Sequence, residues 1–70
     1  RLSHLFREQV GMSMLEFAED QRMRKAMDHL RMSDRPVSEI ASIVGYDDPL
    51  YFSKRFKART GSSPRAWRRA

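Results

Sequence analysis

The segment from Val37 to Phe56, VSEIASIVGYDDPLYFSKRF, constrains the fold most because a glycine separates two short apolar patterns of helical spacing. The first pattern fills positions i, i+3, i+4 and i+7 of a helix with Val37, Ile40, Ala41 and Val44. Gly45 follows directly and can adopt the left-handed conformation that ends a helix. The small Ala41 lets a second helix approach closely. The segment therefore predicts two short helices joined at a sharp angle by a glycine turn.

The second helix of this pair is predicted from about Pro49 to Arg59. Asp47 or Asp48 can cap its first turn, and a proline at the first helical position loses no hydrogen bond. Phe52 and Phe56 form its predicted inward face. The other sides carry Leu50, Tyr51, Ser53, Lys54, Arg55 and Lys57. Hydroxyls and cations on a helix held outward by a turn suit a DNA major groove, whereas a solvated helical hairpin is the plain alternative.

The charge balance favours the first of these interpretations. The chain has 70 residues, with 14 basic and 9 acidic side chains and a formal charge of +5, which in one small domain favours a polyanionic partner such as nucleic acid. Cysteine is absent, so neither a disulfide framework nor a thiolate metal site is expected. No apolar run approaches membrane-spanning length and no signal peptide is visible, so we expect a cytoplasmic protein.

A short helix is predicted at the start of the chain and a long one after it. The first has an apolar stripe at helical spacing, namely Leu2, Leu5, Phe6 and Val10, and ends at Gly11. Ser13 and Glu16 form a capping box for the long helix. One side of that helix collects Leu15, Ala18, Met23, Ala26, Met27 and Leu30. Arg22 falls within this side, so we expect it to be largely buried and bonded to a carboxylate or to carbonyls at helix ends.

A last short helix is predicted after Gly61, with Ser63 as its cap. Its Trp67 is expected to close the core over Phe52 and Phe56. Three arginines of this helix are expected to stay in solvent: Arg65, Arg68 and Arg69. No β-alternation competes with these patterns, so the fold class is predicted to be all-α.

Four parts of the sequence together resemble the DNA-binding domain of the AraC/XylS family of bacterial transcription regulators: LSHLFREQVGMS, EDQRMRKAMDHL, VSEIASIVGYDDPLYFSKRFKARTGSSP and Trp67. The resemblance covers nearly the whole chain. It implies one domain, residues 1–70, in which a bridging helix joins two DNA-reading units. The implied parts are a first recognition helix (1–11), the bridging helix (13–32), a second helix-turn-helix unit (37–60) and a C-terminal helix (63–70). The first unit would be partial, because its scaffolding helices would precede Arg1.

The resemblance also implies which side chains meet DNA. In the first recognition helix Ser3 and His4 match base-facing positions, and Arg7 is a further candidate contact. In the second recognition helix the groove-facing positions are Asp48, Leu50, Tyr51, Ser53 and Lys54. Arg55 and Lys57 are interpreted as phosphate contacts or as ordinary solvated charges.

The predicted function is sequence-specific binding of double-stranded DNA within a bacterial transcription activator, associated with the nucleoid. The alternative is a protein-interaction module that contacts RNA polymerase or another regulator. An enzyme is not expected, because no nucleophile is paired with a base and no glycine-rich phosphate loop is present. No cofactor or metal is expected, since His4 and His29 lie far apart in sequence. Effector binding and dimerisation would belong to a separate domain.

Overall fold

The computed structural model describes residues 11–70, which form helices and no strands. Helix α1 spans Met14–Met32, α2 spans Val37–Ile43, α3 spans Pro49–Thr60 and α4 spans Pro64–Arg69. The all-α prediction is confirmed. None of these helices is long and apolar enough to cross a membrane. The predicted first recognition helix lies outside the described residues.

Helix α1 begins with the predicted capping box. The Ser13 hydroxyl accepts from the Glu16 amide at 3.1 Å, and the Glu16 carboxylate accepts from the Ser13 amide at 2.8 Å. Met23, Ala26 and Leu30 are buried as predicted. The core prediction is wrong for the first turns, because Ala18 is exposed and Leu15 is 84% exposed. Within residues 11–70, the fully buried side chains of α1 begin at Met23.

The turn between α2 and α3 is a Schellman motif, which confirms the predicted glycine turn. Gly45 has a φ of 103°. Its amide donates to the Ser42 carbonyl at 3.1 Å, and the Tyr46 amide donates to the Ala41 carbonyl at 2.8 Å. These bonds satisfy carbonyls that the end of a helix leaves without partners. Ala41 is fully buried, so the turn and the small side chain together set how closely the two helices approach.

The core contains a row of aromatic rings that crosses α3. Ring centroids are 5.4 Å apart for Tyr46 and Phe52, 5.8 Å for Phe52 and Phe56, and 6.1 Å for Phe56 and Trp67. Phe52 and Phe56 are completely buried. The prediction that Trp67 closes the core is confirmed. The aliphatic part of the core consists of Met23, Ala26, Leu30, Ile40, Ala41 and Val44. Because α3 contributes both phenylalanines, its orientation is fixed by the centre of the domain.

Arg68 does not stay in solvent, so that prediction is wrong. Its side chain is half-buried, and its Nε donates to the Leu30 carbonyl at 3.0 Å. Its Nη2 donates to the carbonyls of Ser33 and Arg35 at 3.3 and 2.6 Å. The last carbonyls of a helix lack intrahelical partners and carry partial negative charge, which a guanidinium neutralises. Arg68 therefore ties α4 to the end of α1.

The burial predicted for Arg22 is also wrong. The side chain is exposed, and its guanidinium carbon lies 5.6 Å from the centroid of the Tyr46 ring. Among the described residues it forms no ion pair, because the nearby Glu19 is bonded to Arg55 instead. A Cβ at Gly45 would lie 3.5 Å from the Arg22 Nε. Arg22 thus lies over the glycine turn, and the next residue, Met23, enters the core instead.

Arg22→Ala is expected to lower the free energy of unfolding by less than about 1 kcal/mol, because a solvent-exposed cation over an aromatic ring contributes about 0.5 to 1 kcal/mol. Urea denaturation followed by circular dichroism measures the change. Lys25→Ala, an exposed position on the same helix, is the control. A loss above about 2 kcal/mol would mean that the guanidinium is bound as a buried charge.

Candidate nucleic-acid interface

The outward face of α3 brings together most of the DNA contacts predicted for this helix. Leu50 is 75% exposed and Tyr51 is 54% exposed. Lys54 and Lys57 are exposed as well, and in the described part of the chain neither lysine forms an ion pair. At about 100° per residue Leu50, Lys54 and Lys57 lie opposite the buried phenylalanines. Tyr51 lies to one side, where its ring centroid is 6.1 Å from that of Tyr46. We call Leu50, Tyr51, Lys54 and Lys57 the groove face.

Asp48 and Ser53 lie beside the groove face. The Asp48 carboxylate accepts from the Leu50 amide at 3.0 Å, which confirms a cap at the start of α3. A carboxylate has further acceptor positions, so this cap leaves Asp48 able to accept another hydrogen bond. Ser53 is half-buried on the flank of α3. Contacts of these two residues with bases stay predictions.

Arg55 is held by α1 and does not belong to the groove face. Its Nε and Nη2 donate to the two carboxylate oxygens of Glu19 at 2.7 and 2.6 Å. Two parallel charge-assisted bonds of this kind are among the strongest polar contacts in proteins. They hold the pKa of Glu19 below its usual value, although partial burial opposes the shift. Arg55 therefore joins α3 to α1, and its contact with DNA stays a prediction.

Arg59 extends this contact by one helical turn. Its Nη2 lies 3.3 Å from the Asp20 carboxylate and 3.4 Å from the Glu16 carbonyl. Asp20 also accepts from Arg24 at 2.8 Å, a bond that lowers the pKa of Asp20. We call Glu19, Asp20, Arg55 and Arg59 the acid–arginine cluster. Within the described residues it connects α3 to turns of α1 that contribute no side chain to the core.

Sequence reasoning missed this cluster, although one signal for it was present. Arg55 and Arg59 are one turn apart on the same flank of α3, and Glu19 and Asp20 are adjacent on α1. Matching pairs of opposite charge on two helices that share a core indicate a contact.

A second basic surface lies where α4 meets the start of α2. Arg65, Arg68 and Arg69 line a cleft of about 450 Å³ together with Pro36 and Val37. Arg65 and Arg69 are exposed, and no ion pair involves either of them within residues 11–70. This surface adds positive charge beyond the groove face.

Other predicted contacts fall outside the described residues, namely Ser3, His4 and Arg7. Among the residues that the structure does describe, no group of three or more His, Cys, Asp or Glu side chains is arranged to hold a metal ion.

Comparison with known proteins identifies the family. A family profile described as "Helix-turn-helix domain" matches residues 1–70. The chain belongs to the AraC-type helix-turn-helix family. This is a family of DNA-binding domains of transcription regulators and not of enzymes. The sequence-based recognition is confirmed.

Two groups of curated relatives are similar to this chain. It is 48% identical over 68 residues to the arabinose operon regulatory protein of Salmonella typhimurium, a match that covers 97% of this chain and 24% of the relative. It is 42% identical over 67 residues to the HTH-type transcriptional activator RhaR of Cronobacter sakazakii, covering 96% of this chain and 24% of the relative. The chain thus spans about a quarter of the length of these relatives.

Solved structures agree with this assignment. The C-terminal domain of AraT, a response regulator from Geobacillus stearothermophilus, is 40% identical with a TM-score of 0.94, covering 97% of this chain and 56% of that one. The DNA-binding domain of AdpA, a global transcriptional factor crystallised with a target DNA, is 33% identical with a TM-score of 0.89. That match covers 96% of this chain and 60% of the AdpA chain.

Proposed function

We propose that this chain reads double-stranded DNA for a transcription regulator, with α3 in the major groove. The observation that carries the proposal is the groove face. Leu50, Tyr51, Lys54 and Lys57 are exposed on one side of a helix whose opposite side is anchored in the core. An exposed helix of this kind fits the major groove of B-DNA, while the preceding helix of the pair crosses the phosphate backbone.

The chemistry of the groove face suits base recognition. Leu50 and Tyr51 are adjacent in the chain, and both expose apolar surface that a ligand can contact. In the major groove such side chains can contact the methyl group of thymine. Lys54 and Lys57 supply donors for guanine edges or phosphates. The groove face therefore combines sequence-dependent contacts with sequence-independent ones.

Similar proteins support the same function. The AdpA domain was crystallised with a target DNA, and the curated relatives are named as an operon regulator and a transcriptional activator. Since the chain spans about a quarter of those relatives, activation of a particular operon and its effector are not carried over.

A contact with RNA polymerase or another regulator is the second candidate. Ile43, at the C-terminal end of α2, is 47% exposed and lies outside the groove face. We propose this exposed apolar side chain as the point of contact with such a partner. Salt separates the two functions, because duplex binding weakens steeply with ionic strength and an apolar protein contact does not.

Duplex binding is expected to fall by roughly five units of log K per decade of salt, the slope for about six phosphate contacts. Fluorescence anisotropy with a labelled random-sequence duplex measures it. Lys57→Ala is expected to lower the slope by about one unit. Arg24→Ala is the control. The Arg24 guanidinium is bonded to Asp20 at 2.8 Å, so its removal is expected to leave the slope unchanged. A flat salt response of the unmodified chain would refute DNA binding.

A further inference from the structure

We propose that Glu19 is a specificity-determining residue that withholds Arg55 from DNA phosphates. The proposal rests on the proposed DNA-binding function. Glu19, an acidic residue of α1, would thereby limit which cations of the recognition helix contact the duplex.

The basic side chains of α3 are divided between two roles. Lys54 and Lys57 are exposed and form no ion pair with any residue between Gly11 and Ala70. Arg55 and Arg59 are bonded to carboxylates of α1. Helix α3 thus presents half of its positive charge to a duplex and keeps the other half against the domain.

Arg55 is close enough to the groove face to contact DNA if it were released. It lies one helical turn after Tyr51, on the flank of α3, and its side chain is 36% exposed. An arginine side chain at the edge of a recognition helix can reach the phosphates that border the groove. Only its partner prevents this, because no other described side chain covers the guanidinium with a comparable contact.

The surroundings of Glu19 stabilise its contact with Arg55. Its side chain is 17% exposed and accepts two bonds from Arg55, and a third contact at 3.4 Å comes from the Tyr46 hydroxyl. Tyr46 belongs to the core, so Glu19 is positioned by the centre of the fold. A phosphate could capture Arg55 only by breaking both charge-assisted bonds. The only ion pair left to the half-buried carboxylate would then be a longer one with Arg59, whose Nε lies 3.9 Å away.

Withholding one cation affects discrimination between sequences. A phosphate contact adds affinity for every duplex alike, whereas contacts with base edges favour particular sequences. A domain with fewer phosphate contacts therefore depends more on its groove face. Glu19 would lower binding to random DNA without touching DNA itself.

The test is the salt dependence of binding to a random-sequence duplex. Glu19→Gln is expected to release Arg55 and steepen the slope by about 0.9 units, so that affinity falls about 3.5-fold more between roughly 50 and 200 mM salt. Asp28→Asn is the matched control, because Asp28 is exposed on α1, forms no ion pair with a described residue and undergoes the same change of charge. Equal slopes for these two variants would overturn the proposal.

Two further variants identify the released cation. Glu19→Gln combined with Arg55→Gln is expected to restore the original slope, and a slope that stays steep would overturn the assignment to Arg55. Arg55→Gln alone is expected to leave the slope unchanged. A decrease of about one unit would mean that Arg55 already meets phosphates, and it would overturn the proposal even if Glu19→Gln failed to fold. If the unmodified chain showed no salt-dependent binding, the proposed function itself would fail.

Discussion

Phe56→Ala is expected to lower the free energy of unfolding by about 3 to 5 kcal/mol. The ring is completely buried and lies between Phe52, at 5.8 Å, and Trp67, at 6.1 Å, measured between centroids. Its removal would leave a cavity in the middle of the row of aromatic rings that joins α3 to α4. A domain of this size is stable by only about 3 to 10 kcal/mol, so much of the population would unfold.

Urea denaturation followed by far-UV circular dichroism measures this loss. Leu50→Ala is the control, because Leu50 lies on the same helix and is 75% exposed. A surface change of that kind is expected to stay within about 0.5 kcal/mol. Similar denaturation midpoints for the two variants would contradict the packing described for Phe56.

The helix-turn-helix unit was predictable because its signals are local. Gly45, Asp48 and Pro49 each act within a few residues of their own position, through a left-handed turn, a side-chain cap and a fixed backbone angle. The spacing of Phe52 and Phe56 also identified the buried side of α3. Exposure of the groove face followed from the same periodicity.

The partners of the arginines were not predictable in the same way. Periodicity assigns a side chain to a face of its own helix and does not say which element covers that face. Arg22 lies on the apolar side of α1, but its neighbour there is the Tyr46 ring, and no carboxylate within residues 11–70 forms an ion pair with it. Arg68 bonds to a carbonyl 38 residues earlier, and Arg55 to a carboxylate 36 residues earlier. Such contacts depend on how the helices are assembled.

The exposure of Leu15 has the same origin. Its position in the helical repeat matches that of buried residues further along α1. Burial, however, also requires another helix to pack against the turn of α1 that contains Leu15. Between Gly11 and Ala70, the hydrogen bonds that link α3 to this part of α1 are those of the acid–arginine cluster. Polar contacts there replace the apolar packing that the sequence predicted.

Lys54→Ala is expected to change the preference for particular base pairs by about 1 to 3 kcal/mol, because Lys54 lies at the middle of the groove face. Selection from a random duplex pool by the unmodified chain defines the preferred bases, and competition binding with single-base variants measures the change. Lys57→Ala is the control. As a phosphate contact it is expected to weaken all sequences alike.

Asp48 requires a separate comparison, because its carboxylate caps α3 through the Leu50 amide at 3.0 Å. Asp48→Ala removes the cap and any base contact together, and loss of the cap alone costs about 1 kcal/mol of stability. Asp48→Asn keeps a capping oxygen but replaces the negative charge, which favours the amino group of cytosine. We expect Asp48→Asn to alter base preference at one position while unfolding as the unmodified chain does. If neither Asp48→Asn nor Lys54→Ala changed the preference between base pairs, neither residue would contact a base edge, and the bases would have to be read by other side chains.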